Sequence, residues 1–141
     1  MQVVAGNPPK TWSWAAVGLL LVIGTIHAVD APDCFEEAAY KGWLFYANGL
    51  GSLVAAYGIV RDKSFGWPLG FVIAAGSFVG YVASRTVGLP LIPAEPDAWL
   101  EPLGIGSLIA EALFVAIFLA AAQRRKQAVA SVPGRAAGHS A

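Results

Sequence analysis

Hydrophobic and polar positions along this chain fall into long blocks. Residues 11–29, between Lys10 and Asp30, are 19 positions without a charge, and His27 stands near their end. Residues 42–60 (19 positions) and 64–84 (21 positions) contain no charged residue and no histidine. Residues 102–123, between Glu101 and Arg124, are 22 positions interrupted by one acid, Glu111. About 20 apolar residues in helical form cross a hydrocarbon core of about 30 Å. Lipid offers no partner to an open backbone, so such stretches must be helical. The pattern predicts an all-α fold, a four-transmembrane-helix antiparallel bundle with spans at about 12–29, 42–60, 65–85 and 103–123. One membrane domain covers 1–123, and 124–141 reads as a basic cytoplasmic tail without fixed structure.

Composition agrees. Hydrophobic residues make up 57% of the 141 and charged residues 13%, against about 25% charged in soluble domains. That is too little charge to coat a water-facing surface. The expected location is therefore a cell membrane, crossed several times, with the lipid bilayer as first partner. Net charge is zero, which with the apolar composition argues against nucleic acid as a partner.

Lysine and arginine set the orientation. One side collects Lys10, Arg61, Lys63, Arg124, Arg125, Lys126 and Arg135, and the other only Lys41 and Arg85. Both termini are expected in the cytoplasm. The acids Asp30, Asp33, Glu36, Glu37, Glu95, Asp97 and Glu101 fall on the opposite, outer side. A cleaved signal peptide fits less well, because Lys10 comes late and Val29-Asp30-Ala31-Pro32 is a poor cleavage context.

Between the spans, Pro32 suggests a turn, with Asp33 capping a short interfacial helix. Ala47, Gly51 and Ala55 recur every four residues in the second span, and Gly76-x-x-x-Gly80 stands in the third. Both read as seams that let helices approach closely. The outer loop 86–101 holds Pro90, Pro93 and Pro96 and reads as an ordered cap or a lid.

Chemistry concentrates in the predicted outer half. At about 1.5 Å per residue, Glu111 lies about 12 Å and Asn48 about 10 Å below their outer helix ends, with His27 and Arg85 within about a turn of theirs. A charge at mid-membrane costs about 2.5–3.5 kcal/mol on insertion scales. Glu111 must pair, carry a proton or meet water. Arg85 and His27 are the available cations; Asn48, Ser107 and Tyr81 are the available hydrogen-bond partners. His27, Asp30, Asp33 and Cys34 form a sparser group to be weighed as metal ligands, although Pro32 breaks their spacing. One cysteine allows no intrachain disulfide, and two histidines with His139 on the tail exclude a bis-histidine haem.

Ser84-Arg85-Thr86-Val87-Gly88-Leu89-Pro90, then Glu101-Pro102-Leu103-Gly104 and Glu111, resembles a pattern in small bacterial four-span integral membrane proteins of unassigned function. His27 before Ala31-Pro32 and Tyr40-Lys41-Gly42 also fit it. The resemblance implies a bacterial inner-membrane location and a polar signature of His27, Tyr40, Arg85, Thr86, Glu101 and Glu111. It implies no activity and no cofactor.

Two functions follow as expectations. The first is a non-catalytic accessory subunit or small-ligand binder with an outward-facing polar pocket around Glu111, lined by His27, Tyr40, Asn48, Tyr81, Arg85 and Glu101. The alternative is a membrane-embedded enzyme or proton-coupled carrier, with Glu111 as acid/base and Arg85 as anion clamp; metal capture at His27 is a third. Partner subunits or a homo-oligomer suit the first.

Overall fold

The computed structural model describes residues 8–131 and is all helical apart from connections. The elements are α1 (Lys10–Glu37), α2 (Ala39–Val60), α3 (Gly66–Thr86), a 3-10 turn (Pro96–Ala98) and α4 (Pro102–Ala130). Each of the four long helices is long and apolar enough to cross a membrane. They pack in chain order, with α4 returning against α1.

The burial pattern is that of a membrane protein. Large apolar side chains point away from the interior: Leu50 is 66% exposed, Val72 65% and Ile109 56%. Small residues line the contacts instead. A Cβ on Gly24 would lie 2.9 Å from the Ser52 Cβ, and one on Gly49 would lie 3.2 Å from the Gly24 carbonyl oxygen. Backbone therefore meets backbone between α1 and α2, the packing available where lipid removes the hydrophobic incentive.

The expected seam holds in part. Ala55 is buried and Gly51 packs against Ile73 of α3, but Ala47 is exposed, and the contact with α1 is made by Gly49 and Ser52 instead. Gly76 and Gly80 meet nothing within 4 Å, so that motif is not a seam within the described residues. Four-residue spacing marks several stripes of a helix equally well, and only the neighbours' side chains select one.

The first connection is also not the expected turn. α1 runs through Pro32 to Glu37, and one extended residue, Ala38 (φ −162°, ψ 135°), separates it from α2. Proline removes one helical hydrogen bond, that to Ala28, but ending the helix there would orphan several carbonyls. Ala38 N–H donates to the Cys34 carbonyl (3.2 Å), and the Ala38 carbonyl accepts from Lys41 (3.0 Å) and Gly42 (3.3 Å). Gly42 makes this elbow possible, because a Cβ there would overlap the Phe35 ring.

α2 ends on Asp62 (φ 51°), with Lys63 N–H donating to Gly58 O (2.8 Å) and Asp62 N–H to Ile59 O (3.2 Å). These two bonds make a Schellman close with aspartate where glycine is usual. Gly66 then packs on Gly58, where a Cβ would lie 2.5 Å from Ile59 N.

α4 continues past Gln123 through the basic cluster to Ala130, where the sequence suggested an unstructured tail. Arg, Lys, Gln and Ala are good helix formers and nothing before Pro133 stops them. The rest of that tail, with His139, lies outside the described residues.

The apolar core occupies the half nearer Arg61. Leu20, Ile23 and Phe114 are fully buried there, Trp67 and Phe114 lie 6.1 Å apart, and Phe71 stacks on Phe118 at 4.6 Å. Gly70 leaves the space that the Phe114 ring fills. The buried polar residues His27, Arg85, Ser107 and Glu111 lie toward the Ala38 end, and Ser52 lies near mid-helix.

Candidate functional site

The site grows from α4. Glu101 precedes the helix, Pro102 occupies its first turn, and Ser107 and Glu111 follow one turn apart on one face. Ser107 Oγ donates to Glu111 Oε1 at 2.6 Å. Glu111 is 1% exposed, and its second oxygen, Oε2, has no hydrogen-bond partner.

The opposing group comes from α1. His27 Nε2 lies 3.9 Å from Glu111 Oε1. Its Nδ1 lies 2.9 Å from the Ile23 carbonyl oxygen, which only accepts, so Nδ1 carries a hydrogen. A neutral ring in that tautomer would aim the Nε2 lone pair at a carboxylate. Two facing acceptors repel; a proton on either group removes the conflict. The separation exceeds direct hydrogen-bond range but suits an ion pair. The Phe45 ring of α2 lies 4.7 Å from the imidazole, so three helices fix its position.

A second cluster closes the Ala38 end. Arg85 is buried, Nη1 donating to Glu95 Oε2 and Nη2 to Glu101 Oε2, both at 2.7 Å. Its guanidinium lies 4.9 Å from the Tyr81 ring, and Tyr81 OH donates to the Trp99 carbonyl (3.0 Å). The loop itself is ordered. Gly88 (φ 85°) turns the chain out of α3, where a Cβ would crowd the Ile92 carbonyl. Leu89 and Ile92 exchange two backbone hydrogen bonds of 2.9 Å around Pro90-Leu91. Proline followed by a positive φ (Leu91, 67°) is a type II turn. Glu95 N–H donates to the Ser84 carbonyl (3.0 Å), and Tyr40 OH donates to the Pro90 carbonyl (2.5 Å), tying the loop to α3 and α2. Thr86 turns back on its own helix, Oγ1 donating to the Val82 carbonyl.

The candidates thus divide. His27, Ser107 and Glu111 meet at one point. Tyr40, Tyr81, Arg85 and Glu101 build the closure above it. Asn48 joins neither: its Nδ2 donates to Ser77 Oγ of α3, and Ser52 Oγ donates to Asn48 Oδ1 (3.4 Å). Arg85 makes no hydrogen bond or ion pair to Glu111, and its terminal nitrogens already hold carboxylates. As an anion clamp it would first have to release Glu95 or Glu101. The four metal candidates do not converge. Cys34 Sγ donates to Asp30 Oδ2 (3.8 Å), Asp33 is exposed, and His27 faces Glu111. No group of three His, Cys, Asp or Glu able to hold a metal occurs among the described residues.

Phe45 and Glu95 were not singled out from sequence. Phe45 is one aromatic among many, and Glu95 reaches Arg85 only because the loop folds as it does. No protein-family model, curated protein or solved structure matches this chain.

Proposed function

We propose that this chain is a multi-pass membrane protein that binds a small hydrogen-bond-donating ligand or cation at Glu111, without catalysis. The observation that carries the reading is Glu111 Oε2, a buried acceptor with no donor, beside His27. Leaving such an atom unpaired costs about 1–3 kcal/mol, and a small donor or cation offsets that cost. The proposal includes an antiparallel bundle with both termini cytoplasmic in a bacterial inner membrane. Its supports are the one-residue elbow, the short Arg61–Phe65 turn and the seven-to-two division of lysine and arginine. Membership of the small four-span group rests on the Arg85–Pro90 and Glu101–Gly104 resemblance alone.

In this reading the Arg85 clasp is the outer cover, and entry requires the 87–101 loop to lift. Native mass spectrometry of the full chain in mild detergent tests it. A small adduct should be retained by the wild type and lost in Glu111→Gln. A wild type without adduct, or an adduct indifferent to Glu111→Gln, counts against it.

The proton-coupled carrier is the second reading, favoured by the Nδ1–H tautomer, which turns the other ring nitrogen of His27 toward Glu111. Proteoliposomes with an internal pH dye separate the two: proton flux lost in His27→Ala supports the carrier. Acid/base catalysis on a larger substrate has less support, because Glu111 is sealed and Arg85 engaged.

A further inference from the structure

A cavity of about 480 Å³ lies at the Arg61 end, far from Glu111. Its walls come from the start of α1, the α2–α3 turn, the start of α3 and the last turns of α4. Trp67, Phe118 and Ala121 give it an apolar floor. Ser13, Ser64, Lys63 and Arg125 give it hydroxyls and cations, opposed by one acid, Asp62. We infer that this cavity binds an anionic phospholipid, its phosphate between Lys63 and Arg125 and its glycerol and upper acyl chain against Trp67 and Phe118.

Three observations support that occupant. The cavity sits at the ends of helices long enough to cross a membrane, and so at headgroup depth. Its two chemistries match the two parts of a phospholipid, which a soluble phosphate would use only in half. And the charge around it is complementary: Lys10, Arg61, Lys63, Arg124, Arg125 and Lys126 share this end with Asp62. Arg124 is committed to the Trp12 ring at 4.6 Å. Lys63 is exposed and has no ion-pair or hydrogen-bond partner for its side chain among the described residues. Asp62 at the rim disfavours a polyanionic headgroup and suits a single phosphodiester. Each lysine or arginine near an anionic surface contributes about 1 kcal/mol, or about fivefold in affinity.

The test uses the full chain in mild detergent, titrated with phosphatidylglycerol, phosphatidylcholine or inorganic phosphate and read by native mass spectrometry. Phosphatidylglycerol adducts should exceed phosphatidylcholine adducts, and Lys63→Gln and Arg125→Gln should each weaken them about fivefold. Lys126→Gln, an equally basic position outside the cavity, should weaken them clearly less than Lys63→Gln does. Lys63 is exposed, so its substitution leaves the fold intact, which a thermal melt of the same sample verifies. Equal binding of the two lipids would overturn the inference, as would equal losses in Lys63→Gln and Lys126→Gln, which would indicate diffuse attraction. Displacement of the lipid by inorganic phosphate at equal concentration would assign the site to a soluble anion and overturn it as well.

Discussion

His27 faces Glu111 across 3.9 Å while its other ring nitrogen is fixed on the Ile23 carbonyl. The tautomer is thereby set from within α1, and the exchangeable proton is confined to the side facing α4. Nitrogen-15 NMR of labelled histidine should show His27 protonated at Nδ1, the minor tautomer in water. A lone pair at Nδ1 would sink the shared-proton argument.

The pair should also be energetically coupled. His27→Ala leaves a buried carboxyl without its counterpart and should cost about 3 kcal/mol, the range for breaking a buried pair. Glu111→Gln keeps an oxygen acceptor for Ser107 at the Oε1 position and removes only the charge, so it should cost about 1 kcal/mol. A double-mutant cycle, by thermal or SDS unfolding, should give non-additivity of at least about 0.5 kcal/mol. Additive losses would mean that the two do not interact.

Arg85 should behave as the lock of the 87–101 loop. Arg85→Lys keeps charge but cannot grip two carboxylates and lie on Tyr81 together. Because Glu95 and Glu101 are half exposed, the stability loss should be small, about 1 kcal/mol. The local effect should be larger: hydrogen exchange should accelerate at the amides of Leu89, Ile92 and Glu95, which hold the turn. Unchanged protection there would place the lock elsewhere, with Tyr40 as the next candidate.

Glycine substitutions should separate packing glycines from free ones. Gly66→Ala places a Cβ 2.5 Å from backbone nitrogen, which cannot move aside, and should cost about 1–3 kcal/mol. Gly76→Ala meets nothing and should stabilise the monomer by up to about 1 kcal/mol through helix propensity. Melting in detergent reads both, and a destabilising Gly76→Ala would reveal an intermolecular contact on that face.

Leu91 is 92% exposed in a left-handed conformation. Glycine suits that position of a type II turn, so Leu91→Gly should raise stability by about 0.5–1 kcal/mol. Leu91→Val should lower it, since branching at Cβ worsens the strain. A loss on Leu91→Gly would show that the leucine side chain has a partner at the loop tip.

The four apolar helices were legible because charge-free blocks recur at a length fixed by bilayer thickness, although α1 and α4 run on past the charges that bound their blocks. Glu111 stood out for the same reason, and its Ser107 partner by four-residue spacing. Which small residues touch was only partly legible: Gly51 meets Ile73, but Ala47, Gly76 and Gly80 have the right size and face outward, while the closest approaches fall at Gly24, Gly42, Gly49 and Gly66. Pro32 misled because a helix can forgo the single hydrogen bond that a proline removes, and α1 carries on past it to Glu37. The closure above the site depends on Gly88 and Leu91 reversing the chain, a conformation leucine does not announce.

The single-residue elbow at Ala38 leaves α1 and α2 no slack. Neither helix can slide or roll by itself without opening Gly42 against Phe35, so the two are mechanically one part. His27 and Phe45 ride on that part, while Glu111 rides on α4. A backbone movement that separates the imidazole from the carboxylate would therefore carry α1 and α2 together relative to α4, over the full length of both helices.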